Sequence, residues 1–192
     1  MEGLDGAGKS TLARMLCGLQ KNGSGTVLWA GKPMSRRLRR KKAYMVMQDV
    51  GHQLFTDSVA AECALGIKTP NKVEIDRALE KVDLLAYKER HPLSLSGGQM
   101  QRLAVVVSEI CGKELLVFDE PTSGLDLKSM EEIGTLTRSL ATQGKVLLII
   151  THDIEFMMRI CTRILFIRDG EIVEDLSGGQ KEKIVRLLRG EE

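Results

Sequence analysis

The sequence lacks long apolar runs and any strong excess of one charge. Its most apolar stretches, such as residues 146–150, are far shorter than the roughly 20 residues that a membrane helix needs. The formal net charge is only +2, so composition provides no basic footprint for nucleic acid. We therefore expect neither a membrane span within these residues nor a nucleic-acid partner.

Cysteine pairs at metal-binding or redox spacing are also missing. The four cysteines, at positions 17, 63, 111 and 161, form no CxxC pair, and each has apolar neighbours. We expect four reduced thiols in the core of a cytosolic protein.

Apolar residues alternate between helical and strand spacing along most of the chain. Helical spacing is found at residues 10–20, 96–110, 129–142 and 181–189. Apolar strand patterns are found at residues 26–30, 44–47, 115–118 and 146–150. A hairpin is predicted around Asp169-Gly170. Strands that alternate with helices predict an α/β fold with a mostly parallel sheet.

The segment 49–95 has a different character. Ile75, Leu79, Val82 and Leu85 fall on one helical face. We expect a small helical lobe here, inserted into a single domain that spans residues 1–192 and whose core is formed by 1–48 and 96–192. Just before the lobe, six of the seven residues 36–42 are basic, which predicts a solvated face. Contact with an acidic partner or a lipid headgroup is the alternative.

The residues near the N-terminus follow the phosphate-loop pattern GxxxxGK[ST]. Glycines let the backbone curl so that several N–H groups point at one anion, and the helix that starts near Lys9 adds its positive end. Lys9 is placed to reach the β- and γ-phosphates of a nucleotide, and the Ser10 hydroxyl is placed to bind Mg²⁺. The residues expected to bind the phosphates are Gly3, Asp5, Gly6, Ala7, Gly8, Lys9, Ser10 and Thr11.

Two later strands end in polar residues. Asp119 and Glu120 follow one apolar strand, and His152 follows the next. The carboxyl ends of parallel strands form the ligand crevice of an open α/β sheet. Asp119 is thus placed to bind Mg²⁺, and Glu120 to orient or deprotonate an attacking water. Taken alone, the two carboxylates are also compatible with an ordinary turn, and a lone histidine after a strand is more often structural.

A second glycine-rich segment opens a helix at Ser96. Ser96 is suited to cap that helix, and together with Gly97, Gly98 and Gln99 it forms a second candidate anion site. The same pentapeptide, Leu-Ser-Gly-Gly-Gln, recurs at residues 176–180. We assign that copy no role, because it follows His152 and precedes a short charged helix. A turn capped by Ser177 explains it.

Taken in order, these motifs resemble those of the ABC ATPase family. They are the phosphate loop, Gln48, residues 95–99, Asp119-Glu120, residues 123–126 ending at Asp126, and His152. The resemblance covers the chain from Gly3 onward. It implies a P-loop NTPase core with an inserted helical subdomain, ATP and Mg²⁺ as ligands, and ATP hydrolysis. It also implies that Gln48 is the Q-loop glutamine, which binds Mg²⁺ and takes part in catalysis, and that His152 contacts the γ-phosphate.

The resemblance further implies partners. Two such ATPases pair head to tail, so that residues 96–99 of one chain close over the Lys9 loop of the other and Asp126 communicates across the interface. The second ATPase is an identical copy or a sister subunit. The helical lobe is expected to dock on integral membrane subunits, which places the protein peripherally on the cytoplasmic face of the cell membrane.

Residues 52–55, His-Gln-Leu-Phe, indicate which subfamily the chain resembles. A similar stretch follows the Q-loop in energy-coupling-factor and cobalt-type importers, which take up vitamins or transition-metal ions. The expected function is to power uptake of such a solute, as a separate ATPase or the second cassette of a tandem. The alternatives are a soluble ABC ATPase of DNA-repair or translation type and a nucleotide-binding module without turnover. Coiled-coil heptads, which DNA-repair members carry, are absent.

The glycine-rich loop begins at Gly3, with only Met1 and Glu2 before it. The family normally carries a β-strand that feeds this loop and an aromatic residue that stacks on adenine. We therefore expect an ABC ATPase fold without its N-terminal strands, as in a truncated chain.

These 192 residues are accordingly expected to bind ATP weakly and to be poorly stable, because the hydrogen bonds and apolar burial of a central strand are lost. Isothermal titration calorimetry of the 192-residue chain measures the affinity. Tight ATP binding by this chain would contradict the expectation.

Overall fold

A computed structural model describes residues 8–21 and 24–188 of the chain. Its helices are α1 (Lys9–Leu16), α2 (Arg36–Lys42), α3 (Val59–Ala64), α4 (Lys72–Glu80), α5 (Gly97–Ile110), α6 (Leu127–Thr142), α7 (Ile154–Ile160) and α8 (Lys181–Leu188). Its strands are β1 (Leu28–Trp29), β2 (Lys32–Pro33), β3 (Ala43–Val46), β4 (Leu115–Asp119), β5 (Val146–Ile150), β6 (Arg163–Arg168) and β7 (Glu171–Ser177). None of the described helices is long and apolar enough to cross a bilayer.

Strand β4 is the centre of a parallel sheet with the order β3-β4-β5. All five of its residues are buried. Phe118 is paired with Val46 on one side and with Ile149 on the other. The parallel strands and the helices between them confirm the α/β fold that the apolar pattern predicts.

Helices cover both faces of this sheet. Alternate residues of β4 point to opposite faces. Leu116 and Phe118 belong to an apolar cluster with residues of α5, α6 and α7. Leu115 and Val117 pack in a second cluster with Ala13 of α1 and with Cys17, which directly follows α1. The first helix of the chain is therefore held against the sheet whose strand ends carry the candidate catalytic residues.

The helical lobe has an apolar cluster of its own. Leu79 of α4 and Val59 of α3 are fully buried there against Leu103 of α5. The predicted apolar face is confirmed at Ile75, Leu79 and Val82, which are buried, while Leu85 is partly buried against the same cluster. The division of the chain at residues 48 and 96 stays a prediction.

Two helices were not predicted, and one is shorter than expected. Helix α2 carries six basic residues in its seven positions and so has little apolar periodicity. Helix α7 is a short helix of seven residues. Helix α1 ends at Leu16 rather than at residue 20, because Gly18 adopts a left-handed φ of 73°. A Cβ on Gly18 would lie 2.6 Å from the carbonyl oxygen of Arg36, so only glycine fits this turn.

The predicted hairpin is present as β6 and β7. Asp169 and Gly170 both have positive φ, 51° and 81°, as a two-residue turn of type I′ requires. The hairpin packs on α7 and α8 through the buried residues Met157, Ile164, Leu176 and Ile184.

Strand β5 is the exposed edge of the parallel sheet. Within the described ranges it pairs with β4 alone, and Val146 is 49% exposed although the strand is entirely apolar. Leu147, Leu148 and Ile149 are only partly buried. An apolar edge strand presents unpaired backbone groups that favour pairing with another strand.

The cysteines are free thiols, as expected. Burial raises the pKa of Cys17 to about 11, and burial is also the main cause that raises the pKa of Cys63 to about 12. Both side chains therefore stay protonated near neutral pH. Cys111 and Cys161 are only partly buried. The expected core position is therefore confirmed for Cys17 and Cys63 but not for the other two.

Matched leucines on α6 test the position of the core. Leu140 is 1% exposed and Leu127 is 60% exposed. We expect Leu140→Ala to lower the free energy of unfolding by about 2–5 kcal/mol because it leaves a cavity, and Leu127→Ala to change it by less than about 0.5 kcal/mol. Urea denaturation followed by circular dichroism measures both. Equal losses in the two variants would contradict the assigned packing.

Candidate functional site

The carboxyl ends of β3, β4 and β5 meet at one edge of the sheet. Because the strands are parallel and Val46, Phe118 and Ile149 are in register, the residues that follow each strand lie side by side. Gln48 follows β3, Glu120 follows β4 and His152 follows β5. The structure thus brings to one edge the polar strand ends that the sequence singles out.

Helix α1 starts at the same edge. Its N-cap is Gly8, with a left-handed φ of 86°, and the backbone N–H of Leu12 donates to the Gly8 carbonyl at 2.9 Å. Gly8 makes no side-chain cap hydrogen bond, and the N-terminus of a helix is suited to bind an anion. Gly3, Asp5, Gly6 and Ala7, which are predicted to bind phosphate, lie outside the described residues.

Ser10 and Asp119 join the start of α1 to the end of β4. The Ser10 hydroxyl donates to Oδ1 of Asp119 at 3.2 Å, and Asp119 is only 6% exposed. A hydroxyl and a carboxylate are oxygen ligands of the kind Mg²⁺ prefers, and Mg²⁺ usually takes few protein ligands beside substrate phosphates. The described residues contain no cluster of three or more His, Cys, Asp or Glu that could hold a metal. The pair therefore fits a shared Mg²⁺-nucleotide site better than a metal cage built from protein alone.

Glu120 and His152 form a second pair at this edge. Nδ1 of His152 lies 3.0 Å from Oε2 of Glu120, with the glutamate side chain 13% exposed and the histidine 67% exposed. Glu120 has a φ of 49°, a left-handed conformation that is costly for a residue with a Cβ. Its backbone N–H donates to the Ile150 carbonyl at 2.8 Å, which anchors the turn on β5. Strain of this kind is typical of functional sites.

The turn that carries His152 is held by residues the sequence analysis missed. The Asp153 carboxylate accepts from the Phe156 N–H at 2.9 Å and from the Thr122 hydroxyl at 3.4 Å. The Asp153 N–H donates to the Thr151 hydroxyl at 3.0 Å. An aspartate directly before an apolar helical stretch is an N-cap signal, so Asp153 could have been found. The Thr122 contact depends on tertiary structure.

Gln48 is less well defined by its contacts. It lies two residues beyond the end of β3 with an exposed side chain. Its place at the sheet edge is compatible with the predicted contact to Mg²⁺, and its role stays a prediction. Thr11 is likewise exposed, in the first turn of α1.

The glycine-rich turn at Ser96 is built as a capped helix start. The Ser96 hydroxyl accepts from the Gln99 N–H at 3.4 Å, and the Gln99 side chain accepts from the Ser96 N–H at 2.9 Å. This reciprocal capping box confirms Ser96 as N-cap. Gly97 has open space where a Cβ would stand. Gly98 is close to α6, because a Cβ there would lie 2.9 Å from Oγ of Ser129.

Asp126 lies beside this turn. Its carboxylate caps α6 by accepting from the Ser129 N–H at 2.7 Å. The backbone amide of Ser129, followed by its hydroxyl, lowers the pKa of Asp126 below its ordinary value. The side-chain hydrogen bonds of Ser96 and Gln99 are to each other's backbones and not to Ser10 or Asp119. Within one chain, the structure thus groups Ser96, Gly97, Gly98 and Gln99 with Asp126 rather than with α1.

The second copy of the pentapeptide has a different environment. The Gly178 N–H donates to the Thr162 carbonyl at 2.8 Å, and a Cβ on Gly178 would lie 2.5 Å from the carbonyl oxygen of Cys161. Gly178 is therefore a packing glycine pressed against backbone. This contact supports the absence of a binding role for the second copy.

Comparison with known proteins gives matches over most of the chain. The model of the ABC transporter family matches residues 1–123. A protein of Treponema denticola named as an ABC transporter ATP-binding protein is 58% identical over 97% of this chain. The chain spans 38% of that relative's length.

Solved structures with this fold are also found. The structure of cbiO1 from Clostridium perfringens, described as part of the ABC transporter complex cbiONQ, has a TM-score of 0.81 and 29% identity, covering 98% of this chain and 80% of that one. A bacterial Atm1-family ABC exporter with ATP bound has a TM-score of 0.77 and 27% identity, covering 97% of this chain and 34% of that one.

The two pentapeptide copies give a direct test of their roles in the fold. We expect Gly178→Ala to lower the free energy of unfolding by about 1–3 kcal/mol, because its methyl group meets backbone that cannot move aside easily. Gly97→Ala, at an open position in the first turn of α5, should change it by less than about 1 kcal/mol. Urea unfolding of the two variants provides the comparison. A larger loss for Gly97→Ala would show that the copies have been assigned the wrong way round.

Proposed function

We propose that this chain, which belongs to the ABC transporter family of ATP-binding proteins, binds Mg-ATP at the carboxyl edge of its parallel sheet and hydrolyses it as one half of a two-cassette ATPase. The observation that carries the proposal is the convergence of Ser10, Asp119, Glu120 and His152 at that edge, on three separate elements. The N-terminus of α1 supplies the backbone donors for the phosphates.

Three residues are proposed to hold Mg²⁺ between the protein and the nucleotide. They are Ser10, Asp119 and Gln48, whose side chains offer hydroxyl, carboxylate and amide oxygens. When bound, Mg²⁺ neutralises charge on the β- and γ-phosphate oxygens. Lys9 reaches the same phosphates with its ammonium group.

Glu120 is the proposed base. Its carboxylate orients a water in line with the γ-phosphorus and accepts a proton from it as the bond to ADP breaks, so that ADP and phosphate are released. Nδ1 of His152 donates to the ionised Glu120 carboxylate. When both ring nitrogens carry protons, Nε2–H is left to donate to a γ-phosphate oxygen. His152 thereby links Glu120 to the γ-phosphate that the water attacks.

The second cassette is proposed to complete each site. Ser96, Gly97, Gly98 and Gln99 form an open, capped helix N-terminus that is grouped with Asp126 rather than with the chain's own Ser10. The N-terminus of a helix is suited to bind an anion. The start of α5 is open and separate from α1, so it suits the nucleotide that a partner cassette binds. A head-to-tail pair of cassettes, identical or related, satisfies both sites at once.

The helical lobe is the proposed contact with integral membrane subunits, at the cytoplasmic face of the cell membrane. Exposed apolar side chains on it, Phe55 at 69% and Leu93 at 55%, support a docking surface. The His-Gln-Leu-Phe motif at 52–55 and the match to cbiO1 over 98% of the chain support uptake of a small solute, a vitamin or a metal ion. Selection of that solute is assigned to other subunits.

Replacement of Glu120 tests the proposed chemistry. Glu120→Gln keeps the size and hydrogen-bonding reach of the side chain but removes its basicity. In the complete ATPase we expect hydrolysis to fall roughly hundredfold or more while ATP binding is retained. Phosphate release with saturating Mg-ATP and equilibrium binding of a fluorescent ATP analogue measure the two quantities.

The matched control is Glu114→Gln. Glu114 directly precedes β4, at the opposite end of the strand, where it pairs with Lys42. Its exposed carboxylate should contribute little to turnover, so this variant should hydrolyse ATP as the unmodified protein does. Normal turnover in Glu120→Gln would refute the assigned base.

A further inference from the structure

The carboxamide of Gln53 uses both of its ends to hold the segment around Gln48. The Met47 N–H donates to Oε1 of Gln53 at 3.0 Å. Nε2 of Gln53 donates to the Met45 carbonyl and to the Tyr44 hydroxyl, each at 2.9 Å. One side chain from the His-Gln-Leu-Phe motif therefore ties the chain before Gln48 to strand β3.

Tyr44 gives this contact a fixed base. Its ring packs against both the helical-lobe cluster and the cluster on the sheet. Burial raises the pKa of Tyr44 above its ordinary value, so the phenol stays neutral and its oxygen accepts the Gln53 donor. The hydrogen-bonded group thus sits on a packed strand adjacent to β4, which carries Asp119 and Glu120.

The backbone is anchored on both sides of Gln48. Met47 is held by Gln53, and the Asp49 carboxylate accepts from the Gly51 N–H at 3.0 Å. Val50 is buried at 6% exposure. Gln48 itself is exposed. The hydrogen bonds of its neighbours, rather than contacts of its own side chain, therefore determine the position of its backbone.

The segment after Gln53 is bound to the helical lobe. Leu54 is 2% exposed in the lobe cluster. Oε2 of the buried Glu62 accepts from the backbone N–H groups of Phe55 and Thr56 at 3.1 and 3.0 Å and from the Thr56 hydroxyl at 2.7 Å. Gln53 therefore joins a segment fixed to α3 with a segment fixed to β3.

We infer that Gln53 is a positioning residue for Gln48. Its carboxamide sets the backbone from which Gln48 reaches the Mg²⁺-nucleotide site. This inference rests on the proposed function, since it gives Gln48 a role in turnover. It assigns the second residue of the His-Gln-Leu-Phe motif an intramolecular task.

A double-mutant cycle on the complete ATPase tests it. Gln53→Glu keeps an acceptor for Met47 but places a carboxylate against the Met45 carbonyl and removes both donors. We expect kcat to fall roughly tenfold while the KM for ATP changes less than roughly threefold. Gln48→Ala should also lower kcat, and the double variant should be no slower than Gln48→Ala alone, because Gln53 acts through Gln48.

A purely structural role predicts a different outcome. If Gln53 only stabilised the fold, the two losses would multiply in the double variant, and that result would overturn the inference. So would wild-type kcat in Gln53→Glu, or a loss in Gln53→Glu when Gln48→Ala has none. Gln143→Glu makes the same chemical change just after α6, where the Gln143 side chain donates to Glu109 at 3.3 Å, and should leave kcat unchanged.

Two further variants keep the test decisive. Tyr44→Phe removes one acceptor of Gln53 with little change in packing, so it serves in the same cycle if Gln53→Glu does not fold. A roughly twofold loss of kcat that disappears in the Gln48→Ala background is expected. Glu120→Gln is measured in parallel. Normal turnover there refutes the proposed function, whereas an inactive Glu120→Gln beside a normal Gln53→Glu refutes only the role of Gln53.

Discussion

The position of β4 between two parallel neighbours is the constraint on which the rest of the structure depends. Residues 115–118 are paired on both sides, Asp119 is paired with β5, and all five side chains of β4 are buried. A slip of β4 by one residue would exchange its side chains between the two packed faces of the sheet, where Leu116 and Phe118 contact one cluster and Leu115 and Val117 another. The register therefore fixes where the chain leaves the sheet, between Asp119, the last residue of β4, and Glu120. Strand pairing therefore places Asp119, the candidate metal ligand, in the sheet and Glu120, the candidate base, in the turn after it.

The same pairing supports the unfavourable backbone of Glu120. A left-handed glutamate costs on the order of 1–3 kcal/mol, and the hydrogen bond from its N–H to Ile150 comes from the neighbouring strand. The turn therefore keeps its shape only while β5 stays in register with β4. His152 lies in the turn that follows β5, and it contacts Glu120 across the two turns. The candidate base and the histidine that contacts it are thus positioned by one strand pair, and β5 has the least buried side chains of the three parallel strands.

The sequence predicted the elements whose signals are local and left open those that depend on tertiary contacts. The buried strands, the hairpin at Asp169-Gly170 and the capped helix at Ser96 were all predictable, since apolar period and turn chemistry are read within a few residues. Helix α2 was not, because its six basic residues conceal any apolar face. Of the site, Ser10, Asp119, Glu120 and His152 were predicted and lie together. Thr122, Asp153 and Gln53 act through hydrogen bonds to residues that sequence spacing alone does not bring near.

The two identical pentapeptides, at residues 95–99 and 176–180, show that this motif alone does not predict a binding site. Both contain a serine three residues before a glutamine, and in both the glutamine side chain accepts from the backbone N–H of the serine. The two copies share this contact but not the role of the serine hydroxyl, which accepts from the Gln99 N–H at Ser96 and donates to Gln180 Oε1 at Ser177. The space around the first glycine also differs. At Gly97 that space is open, whereas at Gly178 it is filled by the backbone of Cys161 and Thr162. An anion can approach a helix start only where the backbone is accessible. The proposed binding of a partner's nucleotide therefore depends on the open surface around residues 96–99. Residues 176–180 have the same five amino acids but lack that surface.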